Sequence, residues 1–271
     1  RFESCWGCFF LELLLRPDVI AHMWKFLFVF CLIQPAWAES IATAYPPPEG
    51  STRKSSDEYG EWLRTLQLKA KNEPIRTYDG RIVHHNGRPV DIPLVRGDLQ
   101  QCADSAIRLR ATWLRESGAP ANSLNFNATS GDPLPWTKFS AGWRPYVKNN
   151  RIAWKKTDAS KQTWDRWLRA VFNWAGTRSL VAYETHRVTD PRSGDMLIEG
   201  GSPGHAVVII DVAQNNGRTW FLLGEGFMPA QDFHIEHGPY DGWWEWTKNG
   251  IRLPHWHMKA NSLRRWNKSP R

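Results

Sequence analysis

The run Ala206-Val207-Val208-Ile209-Ile210 is apolar at every position. A strand with one face in water alternates apolar and polar residues, so a run without alternation marks a strand buried on both faces. Such a strand needs a covering layer on each side. Its partners lie close by: Asp195 to Glu199 before it and Thr219 to Gly224 after it, with Asn216-Gly217 as a two-residue hairpin turn. Helical patterns come earlier. Asp98 to Ser117 repeats apolar residues at helical spacing (Leu99, Cys102, Ala103, Ala106, Ile107, Trp113, Leu114), with Asp98 and Gln101 as a capping box and Gly118 and Pro120 as the stop. Gln162 to Ala175 is a second amphipathic helix ended by Gly176, and Asp57 to Leu66 is a short one. Thr77 to His84 carries a hairpin signal at Asp79-Gly80, Asn86-Gly87 marks another turn, and Asn122 to Asn150 is loop-rich. Helices first and an antiparallel sheet afterwards predict an α+β domain.

The amino-terminal segment has a different character. Met23-Trp24-Lys25, the eight apolar residues Phe26 to Ile33 and Ala36-Trp37-Ala38 have the form of a signal peptide with an A-x-A cleavage site. The apolar run is shorter than the roughly 20 residues a membrane helix needs. Residues 1–22 precede that signal and are expected to be upstream translated sequence; 23–38 is the signal, 39–56 a Pro-rich extended leader, and 57–268 one α+β domain. This pattern predicts export to a bacterial periplasm or the extracellular space, with no transmembrane segment after cleavage.

The net charge of +8 suits an attraction to anionic envelope polymers, and export argues against nucleic acid as the partner. Trp6, Trp24 and Trp37 fall in the first 38 residues, so 14 of the 17 tryptophans belong to the expected mature chain. Their spread from Trp62 to Trp266 fits core and interface packing; a stacking surface for sugars or peptides is the competing use.

Of the four cysteines, Cys5, Cys8 and Cys31 precede the expected cleavage point, leaving Cys102 alone. A single thiol cannot form an internal disulfide, so it is either a small buried hydrophobe or a reactive group. In the first turn of its helix, the unsatisfied N–H groups and the helix dipole favour a thiolate. His205 opens the buried strand directly after Gly204 and is the natural base. Glu225, at the end of the next strand, is placed to orient the imidazole, with Gln231 and Asp211 in reserve. Oxyanion donors would be the Cys102 N–H and Gln100 or Gln101. The glycine-rich Gly200 to Gly204, with Ser202, lets a substrate backbone approach His205. The sequence also holds His234, His237, His255 and His257, a set that could bind zinc only if the fold converged it, and His84-His85 is expected at a solvated hairpin end. No cofactor or metal is assigned.

Arg192-Ser193-Gly194-Asp195-Met196-Leu197-Ile198 and Gly204-His205-Ala206-Val207-Val208-Ile209 resemble the Gly-Asp and His strands of papain-like bacterial cell-wall hydrolases of the NlpC and CHAP groups. That resemblance implies a papain-like core of helices on a small antiparallel sheet. It also implies that Cys102 is nucleophile, His205 base and Glu225 orienter in cutting amide bonds of peptidoglycan-like peptides. The chain departs from those groups in placing Gln101 before Cys102 and in a long interval from cysteine to histidine. Longer motifs, Arg96-Gly97-Asp98-Leu99-Gln100-Gln101-Cys102-Ala103-Asp104, Gly200-Gly201-Ser202-Pro203-Gly204-His205-Ala206 and Met228-Pro229-Ala230-Gln231, are similar to the bacterial family called domain of unknown function 4846 from Tyr45 to Trp266. The expected function is a cysteine-dependent hydrolase or transferase acting on envelope peptides. The alternatives are a non-catalytic envelope-binding protein with a basic, tryptophan-rich surface, and a zinc hydrolase.

Overall fold

The apolar run does become a central strand. A computed structural model describes residues 39–267, and its main element is a nine-stranded sheet. In chain order the strands are β1 (Thr52–Arg53), β2 (Gly87–Pro89), β3 (Thr185–Arg187), β4 (Met196–Glu199), β5 (His205–Asn215), β6 (Arg218–Glu225), β7 (His234–Glu236), β8 (Trp243–Glu245) and β9 (Leu263–Trp266). They lie in the order β2-β7-β6-β5-β4-β9-β3, with β8 also on β6 and β1 also on β5. Every pairing is antiparallel. Asn216 and Gly217 turn β5 into β6 with φ of 45° and 80°, as an Asn-Gly hairpin turn requires.

Six α-helices occur among the described residues, three of them at least eight residues long: α1 (Glu58–Thr65), α2 (Cys102–Glu116) and α3 (Trp164–Trp174). Asp57 caps α1 through Gly60 N–H, and Thr163 caps α3 through Arg166 N–H. Ala206, Val208 and Ile210 of β5 share one core with Ala103, Ala106 and Ile107 of α2. Val207 and Ile209 face the other side, into a smaller core with Leu223, Ile251, Leu253 and Met258. The two faces of β5 are therefore covered by different layers, a helical one and the crossing segment around Ile251–Met258.

A bulge at Ile210 breaks this alternation: Ile209 pairs with Leu223, but Asp211 pairs with Leu222. The extra residue turns Asp211 to the helical side. There Arg64 of α1 donates to Oδ1 at 2.9 and 2.6 Å, and Arg53 of β1 to Oδ2 at 2.6 Å. Asp211 is thus committed to a buried ion pair and is not a reserve partner for His205.

Four other expectations change. Helix α2 starts at Cys102, not Asp98: Gln101 is its N-cap and its N–H donates to Asp104 at 3.0 Å, while Asp98 accepts from Ala230 N–H at 2.7 Å. The stretch to Asn150 is not all loop, since Trp143–Lys148 and Arg151–Lys156 form a hairpin turned by Asn149 and Asn150 at φ 51° and 57°. Residues 39–56 are packed, not an extended leader: Tyr45 is buried, Pro46 O accepts from the Trp243 indole at 2.8 Å, and the compact unit begins at Glu39. The alternative of a tryptophan-rich surface also falls away, and the expected core and interface packing holds: no tryptophan among the described residues is exposed, with Trp167, Trp220, Trp243 and Trp266 buried and the rest half-buried. The expected signal peptide, residues 1–22 and Cys5, Cys8 and Cys31 lie outside the described residues. Among the described residues no helix is long and apolar enough to cross a membrane.

Candidate functional site

Cys102 is the first residue of α2, and His205 is the first of β5. The helix packs on one face of the sheet and its amino-terminal end reaches the strand start, so the two side chains meet where β5 begins. Cys102 lies close enough to His205 to favour the charged form of its ring. Its Nε2 lies 2.7 Å from Glu225 Oε2, which leaves Nδ1 for the thiol. The β5–β6 register makes His205 and Glu225 diagonal neighbours on one face, since Val208 sits opposite Gly224. Both are 1% exposed. Burial alone would lower the histidine pKa, but the hydrogen bonds and charges of Cys102 and Glu225 outweigh it, and the ring is pushed up from 6.5 to about 9. A protonated imidazole and a helix amino terminus thus both place positive charge next to the Cys102 sulfur.

The histidine ring is boxed in. Phe227 meets it edge-on at 5.5 Å, His255 edge-on at 5.5 Å, and Trp256 tilts over it at 5.3 Å between centroids. His255 Nε2 stands 2.7 Å from Glu225 Oε1, at an angle that leaves both atoms without a formed hydrogen bond. Sequence reasoning placed His255 only in a possible zinc set and missed Phe227 and Trp256. His255 and Trp256 reach His205 because the segment around Ile251–Met258 folds across the second face of the sheet, and Phe227 reaches it from just beyond the end of β6.

Cys102 opens into a cleft of about 620 Å3. One wall is Asp98, Leu99 and Gln101 to Asp104; the other is Gly201 to Gly204; Phe172, Asn173 and Met228 complete it. Gly204 and Ser202 are therefore on the cleft rim. A Cβ at Gly204 would stand 2.4 Å from Thr177 Oγ1 and 2.8 Å from Glu199 O, so the loop closes this tightly only with glycine. The orienting candidates separate. Gln101 lines the cleft beside Cys102. Gln100 is fully buried and its Oε1 accepts from Arg108 at 3.0 Å, so it turns inward. Gln231 is buried, bridges its backbone to Thr77 and is not among the cleft residues. Asp104, on the cleft wall, is pushed up to about 8 by burial, against the backbone N–H groups that favour its charged form.

The four histidines weighed as a possible zinc set do not converge. His234 sits with His85 and Glu236, His255 sits with Glu225, and His237 and His257 are exposed. His85 is not a solvated hairpin end but a half-buried partner of Glu236 at 2.7 Å. Two sets of side chains could each hold a metal, with ligand atoms within 4.8 Å of one another: His205, Glu225 and His255, and His85, His234 and Glu236.

Residues 41–265 match the model of a family described as a domain of unknown function (4846). No curated protein and no solved structure gives a significant match to the chain.

Proposed function

We propose, for a chain that belongs to the family called domain of unknown function 4846, a cysteine-dependent hydrolase or transferase acting on amide bonds, with a papain-like core. The observation that supports this reading is the Cys102–His205–Glu225 series: a helix-start thiol beside a buried imidazole whose Nε2 is held 2.7 Å from a carboxylate. The Cys102 thiol gives its proton to His205 as its sulfur attacks the substrate carbonyl, forming a carbon–sulfur bond while the carbonyl π pair moves onto oxygen. The oxyanion is met by the Cys102 N–H, one of the helix's unsatisfied donors, and by the Gln101 side chain on the cleft wall. The carbon–nitrogen bond breaks as His205 gives its proton to the leaving amine. Water, or an acceptor amine, then attacks the thioester, gives a proton to His205 and releases the acyl group. Glu225 holds the ring and balances its charge throughout.

Peptidoglycan-like envelope peptides are the proposed substrates and the periplasm or extracellular space the proposed location. The net charge of +8 favours anionic polymers. A second hollow, about 350 Å3, presents Arg144, Arg166 and Arg169 and shares Asn173 with the cleft. It offers a guanidinium-lined extension for the carboxylates or phosphates of such a polymer. A non-catalytic binder would rely on stacking surfaces, and the tryptophans are packed instead. The test is mass spectrometry of purified muropeptides incubated with the protein. Cleavage of an amide bond by the wild type and its loss in Cys102→Ala are expected; full activity in Cys102→Ala overturns the mechanism. Iodoacetamide should label Cys102 in the folded protein at pH 7 and label it more slowly in His205→Ala.

A further inference from the structure

We propose that His85, His234 and Glu236 form a zinc site at the edge of the sheet, outside the lining of the Cys102 cleft but next to the His205 cluster, with the His85 ring 5.7 Å from that of His255. His234 and Glu236 are two residues apart on β7 and so share a face. Glu236 is opposite Gly87 in the β7–β2 pairing, which brings His85, two residues earlier, over the same spot. Gly87 makes this approach possible: a Cβ there would stand 2.7 Å from the His234 ring. His85 Nε2 and His234 Nε2 both point at Glu236 Oε1, at 2.7 and 2.9 Å.

The hydrogen-bond inventory requires a cation here. His234 Nδ1 lies 3.0 Å from Asp232 O, and a carbonyl only accepts, so Nδ1 carries the hydrogen. In a neutral ring Nε2 is then a bare lone pair facing a carboxylate oxygen. Either a second proton or a metal ion must sit between them. A second proton would satisfy Oε1, but it leaves Glu236 Oε2 buried with no partner. An ion bound by both Nε2 atoms and the carboxylate uses all of these lone pairs. The backbone carbonyl on Nδ1 is the outer contact that metal-binding histidines commonly have. Two imidazoles and one carboxylate suit zinc and other borderline transition ions, whereas calcium and magnesium prefer oxygen donors. His234 and Glu236 are 0% and 1% exposed, and the half-buried His85 side leaves room for water as a fourth ligand. The ion would tie the segment before β2 to β7.

The experiment uses the chain without a histidine tag. Elemental analysis should find about one zinc per chain, and cobalt(II) added to the stripped protein should give visible ligand-field bands that saturate at one equivalent. Zinc at a hundredfold excess over its Kd should raise Tm by about 5–10 °C. His85→Ala and Glu236→Gln should lose the bands while keeping the circular dichroism of the wild type, and Cys102→Ala should keep the bands. A stripped wild type that gives no bands and no zinc-dependent Tm overturns the proposal. So do bands that survive His85→Ala and disappear in His255→Ala, because the ion would then sit at His205, Glu225 and His255. None of these readouts depends on the hydrolase reading.

Discussion

Glu225→Gln isolates the carboxylate's charge from its shape. Glutamine can still accept from His205 Nε2 through its amide oxygen, so the ring should stay in place while the negative charge is lost. In the native protein the ring is pushed from 6.5 to about 9. At about 1.4 kcal/mol per pH unit, that is a preference of about 3 kcal/mol for the imidazolium, shared between Glu225 and Cys102. Burial still opposes the charge once one partner is lost, so the midpoint should fall by more than half of that shift, to below about 8. The sign for stability follows from linkage. Below 6.5 both folded and unfolded histidine are protonated and the whole contribution is present. Between 6.5 and about 9 the unfolded chain has lost its proton while the folded chain keeps it, so stability falls as pH rises through this window. Two measurements check this: titration of the 13C-labelled histidine rings by NMR, with His205 assigned by its own substitution, and urea unfolding between pH 5 and pH 10. The wild type should lose about 3 kcal/mol across the window from this group, and Glu225→Gln less than half of that. A native His205 midpoint near 6.5, or the same midpoint in both proteins, refutes the charge-paired triad.

Other substitutions follow from single contacts. Asp104 is held protonated up to about 8 by burial, whereas its usual value is 3.8, so the folded chain binds the extra proton between these values and loses stability as pH rises. Asp104→Asn should therefore be more stable than wild type at pH 9, by roughly 1–3 kcal/mol in urea unfolding, and little changed at pH 4. Arg64→Ala leaves Asp211 with Arg53 as its remaining ion-pair partner and should cost about 3–5 kcal/mol by the same assay. Replacing Arg144, Arg166 and Arg169 together with glutamine should raise KM for an anionic muropeptide with little effect on kcat, and should flatten the salt dependence of kcat/KM. An unchanged KM would remove the second hollow from the substrate path.

The central strand and the Cys102, His205, Glu225 order could be read along the chain because each depends on local signals: an unbroken apolar run, a helix start and two strand ends. The start of α2 was ambiguous because two acceptable capping pairs overlap. Asp98 with Gln101 and Gln101 with Asp104 have the same spacing, and the second prevails because Asp98 is used by Ala230, 132 positions away. The bulge at Ile210 is a register event between two strands. Nothing within β5 announces that Asp211 faces Arg64. The partnership of His255 with Glu225 depends on how Ile251–Met258 crosses the sheet, and no local pattern encodes that. The hairpin at Asn149-Asn150 did have a signal, two residues suited to positive φ, which the surrounding prolines and glycines obscured.

The long interval between Cys102 and His205 acquires a physical purpose once the cleft is drawn. Cys102 comes from the helical side and Glu225 from the opposite face, so nucleophile and orienter can meet only at the sheet's end, where His205 begins β5. That meeting needs α2, β5 and β6 and nothing from the residues between α2 and β4. Yet those residues supply Phe172 and Asn173 to the cleft and all three arginines of the adjoining hollow. The residues that lengthen this interval therefore line the cleft and the adjoining hollow, and under the proposed function they would shape what can bind. Substitutions there should alter substrate choice while leaving the reactivity of Cys102 towards a small alkylating agent intact, and substitutions at His205 or Glu225 should do the reverse.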